Sequence, residues 1–123
     1  MSKFAYRTRV TGMGTSAFTF LEEKMIIFFN KQTRSDLAEY SVLIDNLEGT
    51  GDIAPGDLLM LGDRSYRITA VGDVANINFA RLGHAVICFD GLEAARLPGE
   101  IHVEDTKVPK ITIGLPVVFI KHQ

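Results

Sequence analysis

Cysteine is almost absent from this sequence, in which Cys88 is the single thiol among 123 residues. One cysteine cannot form a disulfide within the chain, and it leaves no second thiolate for a cysteine-based structural zinc site. We therefore expect a protein that is stabilised by the packing of its apolar side chains and that resides in a reducing compartment.

Long apolar segments are also missing. The longest uninterrupted apolar run is MIIFF at residues 25–29, whereas a helix needs roughly 20 apolar residues to cross a bilayer. The N-terminal residues lack the apolar core of a signal peptide. These absences predict a cytoplasmic protein.

No excess of one charge sign marks the chain. Its 13 basic and 15 acidic residues give a formal net charge of -2, and the basic residues are dispersed along the sequence. Binding to nucleic acid or to an anionic lipid surface would require a concentrated basic patch. We therefore expect no nucleic-acid partner, and the length predicts one globular domain over residues 1–123.

The apolar residues that are present fall into about seven short runs that are typical of β-strands. Residues 4–11 alternate between two faces, as in a half-buried strand, and residues 25–29 are typical of a buried one. Glycine and proline turns separate the runs. The sequence predicts a mainly β fold, a small antiparallel closed barrel or sandwich of short strands with one or two short helices. The other predicted strands lie at 39–44, 58–61, 65–71, 85–89, 101–103 and 117–120.

Residues 73–82 have the pattern of the best-defined helix. The apolar residues Ala75, Phe79 and Leu82 recur three or four positions apart. Asp73 is placed to cap the first turn and Gly83 to end the last one. We expect this helix to lie across the barrel or sheet.

Two other segments leave the choice of structure open. Residues 15–24 are compatible with a short helix capped by Ser16, and residues 37–40 fit either a helical turn or the start of the strand at 39–44.

No common catalytic signature is present, whether a P-loop, a dinucleotide fingerprint, a Gly-x-Ser-x-Gly elbow or a His-Glu-x-x-His zinc site. Three histidines remain as candidates, because neutral imidazole is a nucleophile toward phosphoryl groups near neutral pH. His84 is the candidate catalytic residue, since it follows Gly83 where a side chain is rigidly placed and partly exposed; a structural histidine is the alternative. His102 is predicted on the solvent side of a strand, and His122 in a frayed end.

Other reactive side chains have simpler interpretations. Cys88 lies in a predicted strand without a basic neighbour in sequence, so we expect it in the core. The aspartates 45, 52, 57 and 63 lie around loops, where aspartate commonly serves turns and caps, and no metal site is predicted from them.

Six blocks occur in an order and at a spacing that together identify a family. They are DLAEY at 36–40, GDIAPGDLLMLG at 51–62, YRITAVG at 66–72, LGH at 82–84, FDG at 89–91 and LPGEIHV at 97–103. In these blocks the chain resembles the glucitol/sorbitol-specific IIA component of the phosphoenolpyruvate-dependent sugar phosphotransferase system. The resemblance covers nearly the whole chain.

The resemblance implies a cytoplasmic phosphocarrier for glucitol/sorbitol uptake. Such a protein accepts a phosphoryl group from the HPr phosphocarrier protein and passes it to a sugar-specific IIB component, so that it meets the membrane only through the IIB/IIC permease. It implies protein histidine phosphotransfer without a metal or organic cofactor. A homodimer is compatible with the sequence, because short β-domains with exposed edges often pair.

The resemblance also implies an acceptor histidine just after the Glu39-Tyr40 pair, where this chain reads SVLIDNLE at 41–48 and has no histidine. Two hypotheses follow. Either the chain is an active carrier that uses His84 or another acceptor such as Asp45, or it has lost phosphotransfer and acts as a regulatory or protein-binding module.

Overall fold

Strands close into a barrel in the computed structural model, which describes residues 4–34 and 36–122. The order around the barrel is β1-β3-β2-β6-β7-β5-β4-β8. This strand order confirms the predicted mainly β fold and shows that it is a closed barrel and not a sandwich. The strands are β1 Phe4–Met13, β2 Met25–Asn30, β3 Val42–Ile44, β4 Leu58–Leu61, β5 Arg64–Val71, β6 Ala85–Cys88, β7 Glu100–Val103 and β8 Pro116–Ile120.

Two neighbouring pairs depart from the antiparallel arrangement. Strands β2 and β3 run parallel, and so do β6 and β7, whereas the other neighbours around the barrel are antiparallel. Parallel neighbours need a crossover connection in place of a hairpin. The segment between β2 and β3 and the segment between β6 and β7 supply these crossovers, and residues 91–99 of the second one cover the outer face of β7.

The core lies inside the barrel, because the inward-facing positions of the strands are apolar. Helix α1, Ala75–Leu82, closes one end. Its Phe79 is fully buried and meets the rings of Tyr6 and Phe119 edge-on, at centroid distances of 5.2 and 5.1 Å. Burying an aromatic side chain in this way contributes a large part of the packing energy of a small domain.

The predicted end of α1 is confirmed and its predicted start is wrong. Gly83 ends the helix in the left-handed conformation, with φ of 64°, and its N–H bonds to the carbonyls of Asn78 and Phe79. Val74 occupies the N-cap position and no side chain caps the helix. Asp73 lies one residue before the N-cap position and is exposed, and the Val74 N–H is bonded to the carbonyl of Pro98.

The two open segments form 3₁₀ turns. Leu21–Glu23 is one, preceded by turns at 15–20, so the helix capped by Ser16 is wrong. Asp36–Tyr40 is the other, and strand β3 is consequently shorter than predicted.

Among the described residues, no helix is long and apolar enough to cross a membrane.

Candidate functional site

His84 lies at the junction between α1 and β6, on the outer face of the barrel. Ala85 and Ile87 point into the core, and side chains alternate along a strand, so His84 points outward. Gly83 allows the junction to form: a Cβ at this position would lie 3.0 Å from the backbone nitrogen of Asn30. The helix end and β2 can therefore approach closely only at a glycine.

The His84 ring is held in a defined orientation. It stacks on Phe29 with a centroid distance of 4.6 Å and an interplanar angle of 27°. Its Nδ1 lies 3.2 Å from the carbonyl oxygen of Phe28. A carbonyl only accepts hydrogen bonds, so Nδ1 carries the proton of the neutral ring and Nε2 keeps its lone pair.

The Nε2 atom of His84 is unpaired and not fully buried. No partner for Nε2 occurs within residues 4–34 and 36–122. The same residues contain no buried side-chain nitrogen or oxygen without a hydrogen-bond partner, so this unpaired atom is not buried. In its neutral form His84 therefore has an unpaired Nε2 lone pair on a ring that is held by its other nitrogen, an arrangement that suits a nucleophile.

A groove of about 410 Å³ with a mixed polar and apolar lining adjoins this junction at Gly83, and His84 is not among the residues that line it. Asn30, Asn46, Thr50, Arg81 and Gly83 are among the residues that line it. The side-chain amide of Asn30 donates to Oδ1 of Asn46 at 3.1 Å. Arg81 is exposed and forms no ion pair within the described part of the chain. The groove thus offers amide and guanidinium donors, the groups that bind phosphoryl oxygens.

The segment at 41–48, where the resemblance implies an acceptor, reaches the same groove. Parallel pairing of β2 with β3 places Asn30 opposite Ile44, so the residues after β3 follow the end of β2. Ile44 is fully buried in the core, and Asn46 enters the groove. Tertiary structure therefore joins this segment to the helix–strand junction, about 40 residues further along the chain.

Asp45 is engaged in ion pairs. Its carboxylate lies 2.8 Å from Nζ of Lys31 and 3.6 Å from Nε of Arg9. The hydrogen bond from Lys31, followed by the Asn46 N–H, lowers the pKa of Asp45 below its ordinary value. These contacts stabilise the carboxylate and reduce its suitability as an acyl-phosphate acceptor.

The prediction for His102 is wrong, because its side chain is completely buried. All four residues of β7 are buried, since the crossover at 91–99 covers the strand's outer face. Nδ1 of His102 lies 2.8 Å from Oδ1 of Asp90, and Nε2 lies 3.1 Å from Oε1 of Glu100. Period-2 alternation cannot reveal a strand that is covered on both faces.

The expectation of a frayed end at His122 is also wrong for its backbone, whose N–H donates to Oδ1 of Asp57 at 2.9 Å. Its side chain is exposed.

Cys88 is buried, as predicted. Burial, with the nearby charges of Glu100 and Asp90, raises the pKa of its thiol to about 12. The thiol is therefore protonated at neutral pH and is not a nucleophile.

Comparisons with known proteins agree with the fold and the sequence blocks. The family model described as the PTS system glucitol/sorbitol-specific IIA component matches residues 5–118. Proteins named PTS system glucitol/sorbitol-specific EIIA component, from Escherichia coli (strain K12) and Shigella flexneri, are each 41% identical over 98 residues, which is 80% of this chain and 80% of each relative. The crystal structure of a PTS system IIA component from Enterococcus faecalis V583 superposes with a TM-score of 0.80 at 28% identity, over 94% of this chain and 99% of that one.

Proposed function

This chain belongs to the family of glucitol/sorbitol-specific IIA components of the sugar phosphotransferase system, and from that premise we propose that it is a cytoplasmic phosphocarrier whose acceptor atom is Nε2 of His84. It takes the phosphoryl group from an HPr-like carrier protein and passes it to a sugar-specific IIB component. The observation that carries this proposal is the unpaired and not fully buried Nε2 of a ring anchored through Nδ1 to the Phe28 carbonyl.

The proposed transfer involves only the phosphohistidine of the HPr-like donor and His84 of this chain. The lone pair of His84 Nε2 attacks the phosphorus of the donor's phosphohistidine, and the N–P bond of the donor breaks. The electron pair of that bond returns to the donor's nitrogen. Positive charge develops on the His84 ring as the new N–P bond forms, and the Nδ1–H bond to the Phe28 carbonyl stabilises it. Transfer to the IIB component is the same displacement in reverse.

The groove beside Gly83 supplies the electrostatic part of the proposed site. In the loose transition state of phosphoryl transfer, negative charge is spread over the equatorial oxygens. Arg81 and the side-chain amide hydrogens of Asn46 are among the donors that line the groove. In this proposal they hold the phosphoryl oxygens while the two imidazoles exchange the group.

A second candidate function rests on the segment 41–48, which has no histidine. Its side chains are committed to other contacts: Ile44 to the core, Asp45 to Lys31 and Arg9, and Asn46 to Asn30. A family member without an acceptor would bind its partners without carrying phosphate, as a regulatory or protein-binding module.

Phosphorylation with purified components separates the two functions. The chain is incubated with radiolabelled phosphoenolpyruvate, enzyme I and HPr, and acid-labile label on it is measured. We expect label on wild type and on His122→Ala, a matched control that removes another exposed histidine, and none on His84→Ala. Arg81→Gln should slow labelling by about 10-fold, a smaller effect than loss of a fully enclosed oxyanion donor.

Two outcomes would contradict the proposal. If HPr becomes labelled and wild type does not, the binding-module function replaces the phosphocarrier. If His84→Ala takes up label at the wild-type rate, another residue is the acceptor. Circular dichroism of each variant confirms that the barrel is intact.

A further inference from the structure

Three metal-ligand side chains meet outside the site just described. Cys88, Glu100 and His102 are all buried, and one ligand atom from each lies within 4.8 Å of the others. The parallel register brings them together, since Cys88 pairs with His102 across β6 and β7, and Val86 pairs with Glu100. We propose that these three residues form a binding site for a single Zn²⁺ ion.

The donor set matches the chemistry of zinc. Thiolate, imidazole and carboxylate are its usual ligands, at about 2.0–2.3 Å, so ligand atoms in a tetrahedral site are about 3.3–3.8 Å apart. Nε2 of His102 and Oε1 of Glu100 are 3.1 Å apart, and Sγ of Cys88 lies within 4.8 Å of a ligand atom of each of these residues. The three donors therefore lie within about 1 Å of tetrahedral spacing, and in this proposal a water molecule completes four-coordination. Calcium and magnesium prefer oxygen ligands and do not suit this set.

A second carboxylate orients the histidine. Oδ1 of Asp90 lies 2.8 Å from Nδ1 of His102 and is itself bonded to the Leu92 N–H. A carboxylate on the non-ligating nitrogen is the usual outer-shell partner of a metal-bound histidine, because it fixes the tautomer and raises the basicity of the other nitrogen. The Nε2 lone pair is thereby aimed at Glu100 and Cys88.

Nε2 of His102 has two polar neighbours. The backbone N–H of Arg96 lies 3.4 Å from it, and Oε1 of Glu100 lies 3.1 Å away. In the neutral tautomer that carries its proton on Nδ1, toward Asp90, Nε2 keeps a lone pair. A cation between Nε2 and Oε1 would be coordinated by both atoms.

Charge balance favours a divalent ion. Arg96 holds Oε2 of Glu100 at 2.7 Å, which leaves Oε1, also bonded to the Leu97 N–H, to face the cluster. With Cys88 as thiolate, the two carboxylates, Arg96 and Zn²⁺ bring the local net charge to zero, as a buried site requires. Binding forms the S–Zn bond and releases the thiol proton to solvent.

This site is distinct from the proposed phosphoacceptor. Cys88 lies four residues beyond His84 on the same outer face, a separation of about 13 Å along a strand. Zinc bound here would tie β6 to β7 and hold the crossover at 91–99. Its binding does not depend on phosphotransfer.

Metal binding to the chelator-treated chain tests the proposal. We expect one Zn²⁺ per chain in competition with a chromogenic chelator, and Co²⁺ should give a thiolate-to-cobalt charge-transfer absorption. Cys88→Ser should lose that absorption and stoichiometric binding, whereas His122→Ala, a histidine outside the cluster, should retain both. Asp90→Asn should weaken binding by about 10- to 100-fold.

Three results would overturn it: no stoichiometric Zn²⁺ on wild type, bound Co²⁺ without thiolate absorption, or a folded Cys88→Ser variant with wild-type affinity. If Cys88→Ser does not fold, the cobalt spectrum of the wild-type chain decides alone, because it reports the sulfur ligand directly.

Discussion

Replacing Asp57 with asparagine should lower the free energy of unfolding of the barrel more than substitution of a nearby exposed residue does. Asp57 is 3% exposed and lies in the turn before β4. Its Oδ2 accepts from the Ala54 N–H at 2.8 Å and from Nζ of Lys121 at 2.6 Å, and its Oδ1 accepts from the His122 N–H at 2.9 Å. One carboxylate thus joins this turn to the residues that follow β8.

The expected loss of stability follows from the number of hydrogen-bond donors that the Asp57 carboxylate satisfies. Asparagine has one acceptor oxygen, and its amide nitrogen must face a donor that the carboxylate formerly satisfied. An unsatisfied buried donor costs about 1–3 kcal/mol, and Lys121 also loses its counter-ion, an interaction reduced by partial solvent exposure. We expect a loss of about 2–3 kcal/mol, which for a chain of this length lowers Tm by about 8–12 °C.

The effect should depend on pH with a defined sign. Burial alone would raise the pKa of Asp57, but the hydrogen bonds from His122, Lys121 and Ala54 outweigh it and lower the pKa. A carboxyl with a depressed folded-state pKa stabilises the fold above its unfolded value of about 3.9 and loses that contribution as the pH falls through the folded value. The difference between wild type and Asp57→Asn should therefore be full at pH 7 and shrink below about pH 4.

Urea unfolding followed by circular dichroism measures both quantities. Asp63→Asn is the matched control, because Asp63 is an exposed loop aspartate, and it should change stability by less than about 0.5 kcal/mol. If Asp57→Asn is as stable as this control at pH 7, the Asp57 carboxylate does not stabilise the fold. A destabilisation that stays constant on acidification would refute the electrostatic part.

Two further substitutions test the junction and the core. Gly83→Ala should destabilise by about 1–2 kcal/mol in chemical unfolding, because it places a Cβ at positive φ and 3.0 Å from Asn30 N; wild-type stability would show that the junction tolerates a side chain. Phe79→Ala should lower the free energy of unfolding by about 3–5 kcal/mol, since it leaves a cavity at a fully buried position between Tyr6 and Phe119. A loss below about 1 kcal/mol would show that the helix does not close the core.

The local sequence pattern predicted the structure correctly where a single local property decides the backbone conformation. Glycine and proline turns with short apolar runs predicted the β fold, and Gly83 predicted the helix end because few other residues adopt the left-handed conformation. Asp73 was misassigned because a cap depends on the residue at which the helix begins, and here Val74 holds the N-cap position, one residue later than predicted.

Family membership, the turns and the absence of histidine from 41–48 follow from residue identity and spacing alone. Which distant residues lie together depends on how the strands pair in the folded barrel. The parallel neighbours β2–β3 and β6–β7 bring Asn46 toward the His84 junction and Cys88 beside His102. The physical reason is that pairing register and crossover coverage are set by contacts between segments far apart in the chain, which local periodicity cannot encode.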